Sequence, residues 1–258
     1  MSLKVWTLVG TRPEIIRLAP TIKLFDSMFN HSLIHTGQNS GENMSDVFFR
    51  DLDLRAPDHF LESNGNNLGD LLGDMFSKFG KMIERDRPDA LVVLGDTNSA
   101  LLMILARRAG IATYHLEAGN RAFDARVPEE TNRRIVDHTA DFNLVYNSYS
   151  QGNLVREGLP SSRIFVTGSP MREVINSLEA KIVSSDVHNR LEIDKGKYLV
   201  GSFHRQENVD SPNTLSKVVD LANGLTRRLD MKMVIPVHPR TRDKLNSGGK
   251  CEFLNAHT

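Results

Sequence analysis

Several polar clusters in this sequence combine residue types that can hold anions or move protons. Gly10-Thr11-Arg12-Pro13-Glu14 joins an apolar run to a segment of helical period. A turn of this kind sits at a helix amino terminus, where backbone N–H groups and the helix dipole favour anions. Arg12 adds a planar fork suited to phosphate, and Arg17 follows five residues later, little more than a helical turn along. The same stretch also reads as a capped strand–helix junction carrying a solvent-facing arginine. The glycine fingerprint of dinucleotide sites is missing from this turn, so no nicotinamide cofactor is implied by motif.

Three carboxylates recur at comparable places. Asp96 lies in Leu94-Gly95-Asp96-Thr97-Asn98, where the plainest role for Asp96 or Thr97 is a helix N-cap. Glu117 lies in His115-Leu116-Glu117-Ala118-Gly119-Asn120-Arg121, and Glu129 in Pro128-Glu129-Glu130-Thr131-Asn132-Arg133. Glu129 and Arg133 are four apart and can form a solvated i,i+4 pair. If Asp96, Glu117 and Glu129 instead converge on one crevice, they push one another's pKa values apart and supply both a protonated acid and an ionised base. Acid/base chemistry is therefore the expectation for these three. Further on, Gly201-Ser202-Phe203-His204-Arg205-Gln206-Glu207-Asn208 ends another strand, and His204 and Arg205 are candidates for phosphate contact across a domain cleft. His238-Pro239-Arg240 reads as structural. No second histidine has a spacing that would make a zinc site, so no metal is expected.

The elements that must position these groups follow from periodicity. Short apolar runs alternate with longer helical stretches, as in βαβ units of a parallel sheet. Strands are expected near 3–9, 32–36, 90–95, 111–116, 142–146 and 163–167, with helices near 13–29, 42–52, 66–86, 97–109, 129–140 and 147–157. Leu91-Val92-Val93-Leu94 is apolar on both faces, as a strand covered by helices on each side must be. Pro128 should open a helix, with Glu129 and Glu130 in its first turn. The clusters above then fall at the carboxyl ends of strands, where open α/β sheets bind ligands. After residue 168 a crossover helix at 171–184 leads through a weaker helix to a second block: strand 197–203, helix 212–229, strand 232–237 and helix 240–246. The expected organisation is a first doubly wound Rossmann-like domain over 1–168 and a second over 169–258. Two strands bury too little for a complete domain, so the second is expected to be partial.

Bulk composition narrows the function. Lys+Arg and Asp+Glu are equal at 32 each, so no global field attracts nucleic acid or an anionic membrane. Cys251 is the single cysteine, which rules out an intrachain disulfide and a cysteine-rich metal cage. No apolar run approaches the ~18 residues of a membrane span, and the amino terminus is too short an apolar run for a signal peptide. The cytoplasm is the expected location.

Taken together, the motifs resemble the non-hydrolysing UDP-N-acetylglucosamine 2-epimerase family. The matching stretches are Gly-Thr-Arg-Pro-Glu at 10–14, His-Thr-Gly-Gln at 35–38, Gly-Asp-Thr at 95–97, Glu-Ala-Gly at 117–119, Pro-Glu-Glu-x-Asn-Arg at 128–133 and His-Arg-x-Glu-Asn at 204–208, in order across about 3–246. The resemblance implies two Rossmann-like domains in the GT-B arrangement, a UDP-sugar substrate, no cofactor and a homodimer. Carried over motif by motif, it implies that Arg12 and His204 contact UDP, with Gln38, Arg17 and Arg205 nearby. It implies that Asp96, Glu117 and Glu129 are the acid/base groups and that Arg133 orders them. Arg17 stands where the family usually has lysine, which keeps the charge but changes the geometry. The later Ser-Gly-Gly loop and ribose-holding glutamate of the family have no counterpart here. The stretches at 13–17, 96–99, 117–121 and 127–141 resemble the branch that makes UDP-N-acetyl-L-fucosamine for capsule and O-antigen polysaccharides, and that substrate is the specific expectation.

Overall fold

The computed structural model describes residues 2–37, 46–202 and 211–236. Within them the chain forms two compact units, the first running to Ala180 and the second starting at Lys181. Val174, on the crossover helix, is buried in the same apolar cluster as Ile15, Leu18 and Ile22.

Unit one is a parallel sheet of seven strands: β1 (Lys4–Val9), β2 (Asn30–His35), β3 (His59–Phe60), β4 (Ala90–Leu94), β5 (Ala112–Ala118), β6 (Phe142–Val145) and β7 (Ile164–Val166). Their spatial order is β3-β2-β1-β4-β5-β6-β7. The chain winds outward from β1 through β2 to β3, then crosses over to β4 and winds the other way. The reversal between β1 and β4 is the topological switch point, the place where open α/β sheets bind ligands at the carboxyl ends of their strands.

The connecting helices are α1 (Arg12–Met28), α2 (Asp46–Asp51), α3 (Leu68–Arg85), α4 (Met103–Arg108), α5 (Pro128–Thr139), α6 (Ser148–Arg156) and α7 (Met171–Ser177). Each strand face has its own core. Trp6, Leu8, Leu91 and Val93 pack with Met75 and Phe79 of α3, while Val9, Leu33 and Leu94 pack with Ile15, Leu18 and Ile22 of α1. The alternation along β1 is what a strand buried on both faces requires. Fully burying each of these side chains contributes about 1.5–3 kcal/mol. On the α1 side, the sheet beyond β4 is less covered. A cavity of about 450 Å³ there has mostly apolar walls, including Phe25, Val92, Leu116 and Leu144.

Two expected helices are each divided and one strand was not expected: the crossover at 171–184 is two helices, Met171–Ser177 and Glu179–Val183. The stretch at 97–109 is a 3-10 turn over Asn98–Leu102 followed by α4 rather than one helix. Strand β3 has only two residues, too short to leave an alternation pattern in sequence. Unit two contributes α8 (Glu179–Val183, which spans the division), α9 (Val187–Arg190), β8 (Tyr198–Val200), α10 (Pro212–Leu229) and β9 (Lys232–Val234), with β8 and β9 paired in parallel. The expected helix at 240–246 lies outside the described residues. No described helix is long and apolar enough to cross a membrane.

Candidate active site

The site starts at the β1–α1 turn. A Cβ on Gly10 would stand 2.1 Å from the Ser99 hydroxyl and 2.3 Å from that of Thr36, so only glycine lets the three loops meet. Glu14, buried in the first turn of α1, accepts from the Gly10 N–H (2.8 Å), the Thr11 N–H (2.7 Å) and the Thr11 hydroxyl (2.9 Å). The Thr97 hydroxyl donates to its other oxygen at 2.7 Å. Burial pushes the Glu14 carboxyl above the ordinary carboxylate range, with these hydrogen bonds opposing. Glu14 thus ties the turn after β1 to the turn after β4. Thr97 occupies the cap position of the 3-10 turn, as expected, but its hydroxyl serves Glu14 instead of the helix.

Arg12 is exposed, with its guanidinium carbon 5.7 Å from the centre of the Phe48 ring. It has no carboxylate partner among the described residues, so its fork is open to an anion. Arg17 forms an ion pair with Glu117, one hundred residues away.

Parallel pairing of Leu94 with Leu116 sets the Gly95-Asp96 turn beside Glu117. The Gly95 N–H donates to the Leu116 carbonyl at 2.9 Å. Strand β5 runs on to Ala118 instead of ending at 116. Leu116 pairs with Leu144 and Ala118 with Val145, which leaves Glu117 as an extra residue in a bulge. Bulges at strand ends re-aim a side chain, and here the carboxylate passes 3.9 Å from where a Cβ on Gly95 would be. Besides Arg17, Glu117 accepts from Asn120 Nδ2 (3.2 Å) and the Tyr146 hydroxyl (3.3 Å). Burial, together with the neighbouring Glu117 charge, pushes the Tyr146 phenol up, so it stays a donor.

Asp96 is held by Arg133 of α5 in a second ion pair. The other guanidinium nitrogen of Arg133 reaches Glu130 at 3.0 Å, so its carboxylate partner on the helix is Glu130 and not Glu129 as the i,i+4 spacing had suggested. Glu130 is buried and also accepts from the Ala122 N–H at 2.8 Å. Burial works against its ionisation, but that N–H and the Arg134 and Arg133 guanidiniums hold it below the ordinary carboxylate range. Asn132 donates to the Asp96 carbonyl at 3.0 Å and to Asn98 Oδ1 at 3.1 Å. Glu129 sits in the first turn of α5, exposed and without a partner among the described residues.

Of the residues expected from sequence, Asp96, Glu117, Arg17 and Arg133 are therefore brought together in two arginine–carboxylate pairs on adjoining strand ends. Gln38, His204 and Arg205 lie outside the described residues. Tyr146, Asn120 and Glu130 were missed. Only their positions, just past a strand or inside a motif already noted, hinted at them. No group of three metal-ligating side chains occurs among the described residues.

An exposed arginine at a helix start and two arginine-paired carboxylates on neighbouring strand ends, all at the carboxyl side of a doubly wound parallel sheet, place the chain among α/β proteins with a strand-end site. The family is more specific than that. A family model described as UDP-N-acetylglucosamine 2-epimerase matches residues 24–257, and the chain belongs to this family of isomerases. A UDP-N-acetylglucosamine 2-epimerase of Methanococcus maripaludis is 34% identical over 95% of this chain and 68% of its own length. A UDP-2,3-diacetamido-2,3-dideoxy-D-glucuronate 2-epimerase of Pseudomonas aeruginosa is 31% identical over 93% of this chain and 68% of its own. Among solved structures, the UDP-N-acetylglucosamine 2-epimerase of Rickettsia bellii superposes with a TM-score of 0.85 at 38% identity, covering 95% of this chain and 65% of that one. The Methanocaldococcus jannaschii enzyme in complex with UDP-GlcNAc and UDP gives 0.85 at 30% identity, covering 96% and 69%. The chain thus spans about two thirds of the length of these relatives.

Proposed function

We propose that this protein epimerises a UDP-2-acetamido-sugar at C2 without hydrolysing it. The observation that carries the reading is the pair of carboxylates, Asp96 and Glu117, on neighbouring strand ends, each ion-paired to an arginine from a different helix. In the reaction, one carboxylate removes the C2 proton while the C1–O bond to UDP breaks, leaving a C1=C2 glycal and free UDP. UDP oxygen then adds back to C1 as a proton reaches C2 from the opposite face. Arg12 at the α1 terminus stabilises the departing diphosphate, and the motif likeness assigns UDP contacts to His204, Arg205 and Gln38 as well. Glu129 would join the proton transfers from the first turn of α5.

The substrate we favour is the precursor of UDP-N-acetyl-L-fucosamine, which fits a role in capsule or O-antigen synthesis in the cytoplasm by a homodimer. It rests on the local sequence likenesses at 13–17, 96–99, 117–121 and 127–141. Interconversion of UDP-N-acetylglucosamine and UDP-N-acetylmannosamine is the second reading, favoured by the names of the Methanococcus and Rickettsia relatives. Incubation with each UDP-sugar, followed by proton NMR of the anomeric region, tests both. C2 epimers with UDP retained are expected. Release of UDP only on adding an acceptor would instead make the protein a glycosyltransferase.

A further inference from the structure

Glu117 occupies a backbone position that an L-residue avoids, with φ of +64° at the extra residue of β5. That conformation is disfavoured for a residue with a Cβ and persists only where the surroundings impose it. The contacts on either side of Glu117 converge on one carboxylate, Asp137, near the carboxyl end of α5 and wholly buried. Before Glu117, the buried ring of His115 hydrogen-bonds through Nε2 to the Gly95 carbonyl at 2.8 Å, and its Nδ1 lies 2.9 Å from Asp137 Oδ1 as a charge contact without hydrogen-bond alignment. After it, the Gly119 N–H donates to both Asp137 oxygens at 3.1 and 3.3 Å. Gly119 itself cannot be replaced, because its φ is +74° and a Cβ would lie 2.4 Å from the Ser150 carbonyl oxygen. Arg121 donates to Asp137 Oδ2 at 2.7 Å and to the Asn120 carbonyl at 2.6 Å, and is anchored outward on Glu157 at 2.5 and 2.7 Å.

We propose that Asp137, acting through His115 and Arg121, is the positioning group that closes the Glu117 bulge and fixes the Gly95-Asp96 turn against it. This rests on the assignment of Glu117 to the proton transfers. Asp137 spans residues 115, 119 and 121, so it pins the chain on both sides of Glu117. Through His115 it also reaches the carbonyl of the residue before Asp96. Asp137 touches no reacting atom. Its effect is to keep two carboxylates from different strands in one geometry, and a displacement of the order of 1 Å in such a pair can lower turnover about 100-fold. A buried group serving stability alone would be needed for folding but not for the chemistry of the molecules that do fold.

The test compares Asp137→Asn and His115→Gln with Met75→Ala, a core truncation in the α3 cluster, and with Glu117→Gln. Rates are taken per folded molecule. Asp137→Asn is expected to lower kcat about 10- to 100-fold with KM little changed, while Met75→Ala keeps the parent kcat. A crystal structure of Asp137→Asn is expected to show Glu117 out of the left-handed region or parted from Arg17. If Asp137→Asn does not fold, His115→Gln carries the same two readouts. Unchanged kcat in the folded variants alongside an inactive Glu117→Gln overturns the proposal, as does an undisplaced Glu117. Should Glu117→Gln retain full activity, the acid/base assignment has failed instead, and the crystal structure alone decides whether Asp137 positions the bulge.

Discussion

The end of β5 and the first turn of α5 each carry a carboxylate of the same sequence pattern, yet they are built in opposite ways. Glu117 is mostly buried and held by Arg17, Asn120 and Tyr146, on a backbone bulge clamped from beneath. Glu129 is exposed and has no described partner, while its neighbour Glu130 turns inward to Arg133 and the Ala122 N–H. The strand end is preorganised before any ligand arrives, which is where electrostatic catalysis gains most. The helix turn offers a group that costs little to leave in water and is free to meet a substrate. Arg12 belongs to this second kind, exposed at the start of α1.

That contrast can be broken by exchange of single groups. Glu117→Gln is expected to lower kcat about 10²- to 10⁴-fold and to shift the unfolding midpoint, because Arg17 loses its partner. Glu129→Gln should leave the midpoint within the small range of surface substitutions, about 0.5 kcal/mol, whatever it does to kcat. Thermal melts beside steady-state rates check both, and a Glu129 variant that destabilises as much as the Glu117 variant would erase the distinction. Next in size, Arg12→Ala should raise the dissociation constant for UDP about tenfold or more, the loss of one charge-assisted contact, with little change in stability. Calorimetric titration with UDP measures it.

The smallest effect lies in the clamp. Hydrogen bonding to Arg121 draws the Glu157 carboxyl down to about 2 from an ordinary 4.5, with burial opposing and His138 assisting. A lowered folded pKa stabilises fully above 4.5 and the contribution disappears as pH falls towards 2. Stability of the parent should therefore decline more steeply across that window than stability of Glu157→Gln. Denaturant titrations at a series of pH values provide the comparison, and parallel slopes would contradict it.

Much of this arrangement was legible in the sequence, for physical reasons. Apolar runs covered on both faces announce parallel strands, and Pro128 with Glu129 and Glu130 marks the start of α5. Asp96 and Glu117 fall at strand ends, so their meeting follows from the topology. What stayed hidden depends on register and distance. The bulge that turns Glu117 exists only because β5 and β6 slip by one residue, and no local pattern encodes that slip. The Arg17–Glu117 pair joins residues a hundred positions apart. Glu129 and Glu130 are indistinguishable by type, and only the pose of α5 decides which one meets Arg133. Asp137 resembled any polar residue of an amphipathic helix until the sheet was laid against it.

The central claim is that a carboxylate at the end of β4 or β5 takes and returns the C2 proton of a UDP-sugar. Turnover in deuterium oxide, followed by NMR of the recovered sugar nucleotides, tests it most directly. The account predicts deuterium at C2 of the product epimer, formed at a rate that Glu117→Gln sharply reduces. Product carrying only hydrogen at C2, or labelling undiminished in that variant, would contradict it.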